Sequence, residues 1–393
     1  MFKAMMTQHI IIIGAGPAGL SFARSLGDMD IKVTLIERQS QEILANPQWD
    51  GREIALTHLS VKLMKENGSW SRLPAEAVSY IERAEVSDGA SPYQLSFDRD
   101  EAKRETLGYL VPNHFIRKAI YEEVLTLPNV DIICGVSVET IATDQHCGTV
   151  VLSNNETLSA DLIVASDSRF SETRRKMGVP TSMKDFGRTV IVSKVEHELS
   201  NKRTAYECFQ YGRTMAILPL KMHESSIVIT IASDKAQRLL DMSDEQFNQY
   251  MERHLNSRFG TMQVKTKRIA YPLVGVYAER FYANRFAIIG DAAVGMHPVT
   301  AHGFNLGLRG QNVLYQEVKK AWAKGSDIGA YRVVSAYSSK HQKITRPLYY
   351  GTNGIVDVYT SESLPAKILR KVLLRVGNNF PPLKRKIIDQ LTS

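Results

Sequence analysis

HIIIIGAGPAG, residues 9–19, is the stretch that decides the fold of this chain. Its four isoleucines run into a glycine-rich turn, which predicts a buried parallel strand followed by a tight turn. Pro17 stands where a helix begins without losing a hydrogen bond. The first glycine permits the turn, the second lets the backbone approach a pyrophosphate, and the third lets helix and strand pack closely. The motif therefore predicts a dinucleotide site at a helix N-terminus, built on Gly14, Gly16 and Gly19.

A second strand and an acidic residue support the dinucleotide interpretation. Lys32–Ile36 predicts this strand, and Glu37 follows it, 18 residues after Gly19. That spacing is typical of the carboxylate that accepts a hydrogen bond from a ribose hydroxyl. The alternative is a solvated glutamate at a strand end. Arg38 comes next and suits either a 2′-phosphate or the adenosine of FAD.

Composition places the chain among soluble globular proteins, with 44% apolar and 23% charged residues. The net charge of +8 favours an anionic partner, whether phosphate, nucleic acid or membrane, and does not choose among them. The three cysteines show no CxxC spacing and the histidines no HExxH spacing, so we expect a reducing compartment and no metal site. The apolar start predicts a first strand rather than a signal peptide.

The strand–glycine–acid pattern occurs three times, at 10–19, 160–168 and 286–291, with sheet-like sequence between. This favours an α/β fold in which a Rossmann-like nucleotide-binding domain is interrupted by a separate β-rich domain and followed by a helical C-terminal region. The predicted division gives the nucleotide-binding domain 1–80, 109–180 and 271–330, the β-rich domain 81–108 and 181–270, and the C-terminal region 331–393.

Helical periodicity predicts three longer helices, at Asn113–Leu125, Asp241–Phe259 and Asn305–Trp322. Alternating or β-branched segments predict an antiparallel sheet in the β-rich domain. Its strands are predicted at Thr189–Val195, Ala205–Gln210, Thr214–Leu218 and Ser226–Ala232.

Three motifs in order resemble a known family. They are Gly14–Gly19, the Ala160–Asp167 segment ADLIVASD, and GDAA at Gly290–Ala293, which is followed by His297-Pro298 and the Gly303–Leu308 segment GFNLGL. The chain resembles the single-component FAD-dependent aromatic hydroxylases, which share the fold of para-hydroxybenzoate hydroxylase. Asp50-Gly51-Arg52 and the basic C-terminal region are most similar to the ubiquinone-biosynthesis branch. The resemblance implies that the nucleotide-binding domain is an FAD-binding domain and that the β-rich domain is a β-sheet substrate domain.

The resemblance implies a cofactor site assembled from distant segments. The glycine-rich turn would bind the pyrophosphate, Glu37 the ribose, and Asp291 the ribityl or pyrophosphate region. The loop at 298–305 would lie beside the flavin ring and aim N–H groups at its N1–C2=O edge, where reduced flavin develops negative charge. The implied cofactor residues are Gly14, Ala15, Gly16, Pro17, Ala18, Gly19, Glu37, Arg38, Arg52, Arg117, Asp291, Pro298, Ala301, His302, Gly303, Phe304 and Asn305.

The sequence departs from the family pattern at several positions. In the family the middle motif usually ends in Asp-Gly, whereas here it ends in Asp167-Ser168, and this change affects the expected site of the reductant. Val294 stands where the family commonly has histidine. The family's usual Gly-Gln-Gly loop is replaced here by Ala301-His302-Gly303. Gly310 stands where the family commonly has an acidic residue. Two interpretations of His302 stay open. Its ring would hydrogen-bond to the flavin or the substrate, or titrate near neutral pH. Alternatively, its side chain would face outward. His297 is interpreted as a structural loop residue rather than a base.

The implied reaction is a hydroxylation through a flavin C4a-hydroperoxide. NAD(P)H would bind transiently and reduce FAD, O₂ would be the co-substrate, and an electron-rich ring would attack the distal oxygen. The protein must position the ring and exclude water, so no catalytic base is assigned beyond the flavin-adjacent loop of Pro298, Ala301, His302 and Gly303.

The expected substrate is a polyprenylated phenol or quinol, facing the flavin from the β-rich domain. The candidate wall residues are Phe209, Tyr211, Met215, Ile217 and Pro219. The alternative for each of them is ordinary sheet packing.

The C-terminal region suits a lipid-phase substrate. Residues 343–393 carry nine basic residues against three acids, and Ala366–Val376 alternates leucine-type and basic residues at helical spacing. Such a helix can lie on an anionic membrane, or it can pack on the body of the enzyme. We expect a cytoplasmic protein, peripheral on the inner face of the membrane, that binds no nucleic acid and joins a multi-enzyme biosynthetic complex.

Two other functions stay open. An FAD-dependent isoprenoid-chain reductase of the geranylgeranyl type shares the nucleotide motifs but needs no O₂. A non-catalytic flavin-binding adaptor would bind FAD without substrate-stimulated NAD(P)H oxidation, since a cofactor fold does not determine function.

Overall fold

The predicted strand–turn–helix unit opens the chain in a computed structural model, which describes residues 7–89, 93–210, 212–297, 302–360 and Lys384. The strands are β1 (Gln8–Ile13), β2 (Ile31–Glu37), β3 (Glu53–Leu56), β4 (Ser79–Ile81), β5 (Arg83–Asp88), β6 (Gln94–Asp98), β7 (Gly108–Pro112), β8 (Val130–Cys134), β9 (Val138–Thr143), β10 (Gly148–Leu152), β11 (Thr157–Ala160), β12 (Leu162–Ala165), β13 (Thr181–His197), β14 (Thr204–Gln210), β15 (Arg213–Lys221), β16 (Glu224–Ala232), β17 (Met262–Val264), β18 (Ile269–Ala278), β19 (Tyr282–Ala283), β20 (Phe286–Ile288) and β21 (Val294–Gly295).

Helices alternate with these strands in the first half of the chain and dominate its described end. The α-helices are α1 (Pro17–Ser25), α2 (Gln41–Ala45), α3 (His58–Glu66), α4 (Asn113–Val124), α5 (Glu172–Lys176), α6 (Ser233–Leu240), α7 (Asp244–His254), α8 (His302–Trp322) and α9 (Tyr331–Thr360). Short 3₁₀ turns occupy Ser69–Arg72, Ala75–Ala77 and Gly290–Ala292.

A six-stranded sheet carries the glycine-rich turn. Its order is β19-β20-β12-β1-β2-β8, and all neighbours except the β19–β20 pair run parallel. The central strands are almost completely buried because helices cover both faces of such a sheet. β20, β12 and β1 are neighbours, so the turns after all three predicted strand–glycine–acid motifs lie at one edge.

A larger, mostly antiparallel sheet forms the second layer. Its order is β21-β18-β13-β16-β15-β14-β5-β6, with β17 paired to β13, and β14–β5 is a parallel pair. One face, here called the outer face, packs its isoleucines against α6 and α7. The opposite face, here called the inner face, carries Val190, Val192 and Leu273.

Two small sheets complete the fold. β3, β7 and β4 form one in the order β3-β7-β4, and β15 packs against both β4 and β7. Leu110 on β7 and Ile81 on β4 share a buried cluster with Phe209 of β14. The small sheet therefore lies between the nucleotide fold and the inner face. β9, β10 and β11 form the other sheet, an antiparallel meander in which Asn154-Asn155 lie in the turn between β10 and β11.

The helix predicted at Asp241–Phe259 is wrong at both ends, since α7 covers only Asp244–His254. The structure has α6 before it, and α7 begins only at Asp244 because Ser243 forms a capping box with Gln246. The helix predicted at Asn305–Trp322 starts one turn earlier, at His302. The helix predicted at Ala366–Val376 lies outside the described residues.

Candidate active site

Gly14 and Gly19 are required by the end of β12, which packs directly on the turn. Gly14 has φ +104°, and a Cβ there would lie 2.7 Å from the Ser166 carbonyl oxygen and 2.8 Å from Cα of Asp167. A Cβ on Gly19 would overlap the Gly14 carbonyl oxygen and Ser166 Oγ. Ser166 Oγ donates to that same carbonyl at 2.7 Å. The middle motif therefore packs against the turn and holds it by a hydrogen bond.

Gly16 provides the opening that a pyrophosphate needs. It is the N-cap residue of α1, and no side chain caps the helix there. A Cβ at Gly16 would meet only the Ser166 carbonyl oxygen, at 3.9 Å, among described atoms. The first-turn N–H groups and the positive helix end are suited to phosphate oxygens, so the turn fits the predicted cofactor.

Glu37 lies beside the turn, as its spacing predicts. Its carboxylate accepts hydrogen bonds from the backbone N–H of Ala15 at 2.7 Å and of Gln39 at 2.9 Å. A carboxylate accepts about four such bonds, which leaves capacity for a ribose hydroxyl. Arg38 is exposed next to it.

Two arginines approach the same edge from other elements. Arg52 donates to Asp50 at 2.9 and 2.5 Å, and Asn113 Nδ2 at the start of α4 donates to the same Asp50 oxygen at 2.7 Å. Burial raises the pKa of Asp50, but these bonds and the Arg52 charge outweigh burial and hold it below its usual value. Arg117 donates to Gln39 at 3.2 Å, and burial lowers its pKa while Asp50 and Glu37 oppose the shift.

Asp291 is held by an arginine that sequence reasoning missed. Arg169 Nε and Nη2 donate to Asp291 Oδ2 at 3.2 and 2.9 Å, and Arg169 Nη1 donates to the Val274 carbonyl at 2.9 Å. Arg174, only 1% exposed, donates to the Ala292 carbonyl at 2.7 Å. The available signal was two arginines, four and nine residues after the end of the buried strand β12.

The loop predicted beside the flavin is only partly described, because Pro298 and Ala301 lie outside the described residues. His302 is 9% exposed at the start of α8, so the outward-facing alternative for its side chain is wrong. No described atom lies within 4 Å of a Cβ placed on Gly303. Phe304 packs partly buried against the main core.

The Asn305 side chain joins α8 to the segment between β3 and α3. It donates to the Ala55 carbonyl at 2.8 Å and accepts from Ser60 Oγ at 2.6 Å and from the Thr57 N–H at 3.0 Å. These bonds position the start of α8 against β3. A cavity of about 250 Å³ adjoins this junction, with Leu59, Leu306, Ile344, Pro347 and Leu348 as its apolar lining.

His297 is a buried, uncharged ring. Burial, together with the positive charges of Arg188 and Lys184, lowers its pKa to about 4. Its ring meets Phe186 edge to face at 5.1 Å. This packing supports the interpretation of His297 as a structural residue.

The predicted substrate wall divides between the two faces of the large sheet. Phe209 lies on the inner face, in the cluster with Leu110 and Ile81. Met215 and Ile217 are fully buried on the outer face, against α6 and α7. Pro219 follows in the same alternation, and Tyr211 lies outside the described residues. The sequence assigned the bulky residues of β15 to the ligand, whereas packing uses them for the core and turns Thr214, Ala216 and Leu218 inward.

Comparison with known proteins shows the family of this chain. A family model described as FAD binding domain matches residues 7–331. The ubiquinone hydroxylase UbiM of Neisseria meningitidis is 47% identical, over 98% of this chain and 85% of that protein. The ubiquinone hydroxylase UbiL of Rhodospirillum rubrum is 30% identical, over 98% of this chain and 89% of its own.

A solved structure shows the same fold. The p-nitrophenol 4-monooxygenase PnpA of Pseudomonas putida superposes with a TM-score of 0.78 at 17% identity, covering 98% of both chains. The predicted fold class and FAD as cofactor are confirmed, and NAD(P)H and O₂ are typical of such enzymes. The chain belongs to the FAD-binding-domain family and, within it, to the FAD-dependent aromatic hydroxylases that include the ubiquinone hydroxylases.

Proposed function

We propose that this enzyme hydroxylates the aromatic ring of a polyprenylated phenol or quinol intermediate of ubiquinone biosynthesis. The observation that carries the proposal is the 47% identity to a ubiquinone hydroxylase over 98% of the chain. The glycine turn, Glu37 and the arginines at the same sheet edge suit FAD, and Val192 on the inner face of the large sheet lies against Gly51, the neighbour of Arg52.

The chain's own residues hold the cofactor and shape the reaction space in this proposal. The turn after β1 and the first turn of α1 receive the pyrophosphate, and Glu37 accepts a ribose hydroxyl. Arg52 and Arg117 provide positive charge, and Asp291, fixed by Arg169, faces the same region. Bound FAD supplies the redox and oxygen chemistry. The protein positions the ring and excludes water.

We further propose that the enzyme is cytoplasmic and binds peripherally to the inner face of the membrane, within a multi-enzyme assembly. Nine basic residues against three acids in 343–393 support membrane contact, as do Tyr350 and Ile355, which are exposed on α9. No helix in the described ranges is both long and apolar enough to cross a bilayer. Salt-sensitive co-sedimentation with phosphatidylglycerol vesicles, but not with phosphatidylcholine vesicles, tests the membrane contact.

The test of the activity is NAD(P)H oxidation by purified, FAD-loaded protein, with and without O₂ and a geranyl-substituted phenol. Mass spectrometry of the ring follows. We expect substrate-stimulated, oxygen-dependent oxidation and a gain of one oxygen atom on the ring.

The same assay separates the two alternatives. Oxidation without O₂, with hydrogen added to the prenyl chain, would replace the proposal by the isoprenoid reductase. Tight FAD binding without substrate-stimulated oxidation, even with a cell extract added to supply missing partners, would favour the adaptor.

A further inference from the structure

One acidic side chain lies on the inner face of the large sheet, among apolar neighbours. Glu207 is on β14, between Ala205 and Phe209, which both pack in the cluster with Ile81 and Leu110. The adjacent Tyr206 and Cys208 pack on the outer face instead. Because side chains alternate along a strand, Glu207 points inward.

The strands beside β14 surround this carboxyl with small or apolar groups. Glu207 pairs with Ala216 on β15 and with Val86 on β5. Thr214 and Leu218 flank Ala216 on the same face. Glu207 nevertheless keeps intermediate solvent exposure, so these neighbours do not cover its side chain completely.

Desolvation shifts the pKa of this carboxyl more than any neighbouring charge does. Burial raises the pKa of Glu207 to about 8, and the Thr214 hydroxyl opposes the shift. The inner face also carries Asp88 on β5, Arg188 and Lys194 on β13 and Glu224 on β16, and Glu53 on β3 faces it. None of them contributes to the shift of the Glu207 pKa.

The cluster around Glu207 connects directly to the flavin-side loop. Ala55 packs against this cluster, and its carbonyl accepts the bond from Asn305 at the start of α8. β15 packs against β4 and β7 of the small sheet. A ring held between the inner face and the start of α8 would therefore have the Glu207 carboxyl as its neighbour on the sheet side and His302 on the α8 side.

We propose that Glu207 accepts the proton of the substrate's ring hydroxyl and so orients and activates the ring. The inference rests on the proposed function and names the residue that recognises the phenol hydroxyl. A carboxylate that hydrogen-bonds the ring hydroxyl in an apolar pocket discriminates strongly against a ring without that hydroxyl, because the carboxylate would then lose its hydrogen bond.

The step conserves protons over a turnover. The ring O–H bond breaks, a carboxyl O–H bond forms on Glu207, and the electron pair stays on the ring oxygen as a phenolate. Phenolate pushes electron density to the ring carbon that attacks electrophilic oxygen. The O–O bond of the oxygen donor breaks as the new C–O bond forms. When aromaticity returns, that carbon loses its hydrogen as a proton, which neutralises the oxygen left on the donor, and Glu207 gives its own proton back to the ring oxygen.

The test compares the wild-type enzyme with Glu207→Gln on a geranyl-substituted phenol and on its methyl ether. We expect the wild type to bind and hydroxylate the phenol at least tenfold better than Glu207→Gln does. On the methyl ether, which has no proton to give, the two proteins should be equal. Product formed per NAD(P)H should fall in the variant, with peroxide released instead.

The pH dependence gives a second readout. Only the ionised carboxylate accepts the proton, so wild-type product yield should rise with pH through about 8, while Glu207→Gln shows no such rise. Thr214→Val removes the hydroxyl that opposes the shift, so its profile should move to higher pH. Glu85→Gln is the matched control, since Glu85 is on β5 and pairs with Arg258 at 3.3 Å on the outer face; we expect its profile to equal the wild type.

Folding is checked by bound FAD per protein and by circular dichroism. Equal phenol affinity, yield and pH profile in folded Glu207→Gln would overturn the inference and leave the hydroxylase standing. A folded wild type that adds no oxygen to the phenol would overturn the proposed function, and this inference with it.

Discussion

Individual glycines in the nucleotide turn have different physical duties. Gly14 and Gly19 are constrained by protein atoms, because Ser166 and Asp167 occupy the space of a side chain. At Gly16, by contrast, the protein leaves room for a side chain. Its smallness therefore matters only for the phosphate that approaches its backbone. The same motif combines a packing requirement with a ligand requirement.

Gly19→Ala and Gly16→Ala are expected to separate these duties. The first should destabilise the apoprotein by about 1–3 kcal/mol, the usual cost of an overpacked core, and also lose FAD. The second should leave the apoprotein stable but weaken FAD binding roughly tenfold or more, which corresponds to at least about 1.4 kcal/mol.

Urea unfolding of the apoproteins and flavin fluorescence titration measure the two effects. Equal apoprotein stabilities in the two variants would contradict the assignment of Gly19 to packing.

At the scale of elements, the contact between α8 and α9 explains a departure from the family pattern. A Cβ on Gly310 would lie 2.6 Å from Nε2 of His341, a buried residue whose ring stacks on Tyr337. The acid common at this position would therefore collide with α9. Burial lowers the pKa of His341 to about 3, so an uncharged ring fills the gap that the glycine leaves.

Gly310→Ala is expected to destabilise the protein by about 1–3 kcal/mol, because the buried ring has to shift. Gly351→Ala on α9 is the matched control: no described atom lies within 4 Å of its Cβ, and alanine favours a helix over glycine by about 1 kcal/mol. Thermal unfolding compares them. A Gly310→Ala melting temperature at or above that of Gly351→Ala would contradict the packing argument.

At the scale of the whole molecule, a buried ion pair joins the large sheet to the small sheet of β3, β7 and β4. Lys194 Nζ on β13 lies 3.0 Å from Glu53 Oε1 on β3, and the Glu53 side chain has no exposed surface. Burial raises the pKa of Glu53, and Lys194 opposes the shift. Val192 approaches Gly51 from the same face of the sheet, so the two layers meet along this line.

Lys194→Met is expected to cost about 3–5 kcal/mol, because it leaves a buried carboxylate without its partner. The loss should grow as pH rises: a raised folded-state pKa means that the folded protein binds more protons than the unfolded chain, so stability falls with increasing pH. The double variant Lys194→Met, Glu53→Gln should recover most of the loss.

Urea unfolding at pH 6 and pH 8.5 measures this effect. The prediction is contradicted if the single variant loses no more stability than the double variant at either pH.

What the sequence determined by itself was the local chemistry of the nucleotide fold. The order of isoleucines, glycines and Glu37 predicts β1, α1 and the ribose carboxylate, because strand, turn and helix there depend on residues close in the chain. The family resemblance, and with it FAD and aromatic hydroxylation, followed from motifs of the same local kind.

Only the tertiary structure decided which face of each substrate-domain strand points to the site. In β15, Met215 and Ile217 alternate with Thr214 and Ala216, and a period of two does not say which set is buried against α7 and which faces the ligand. Arg169 reaches Asp291 across 122 residues of sequence. Such partners are brought together by the sheet order, which no local pattern encodes.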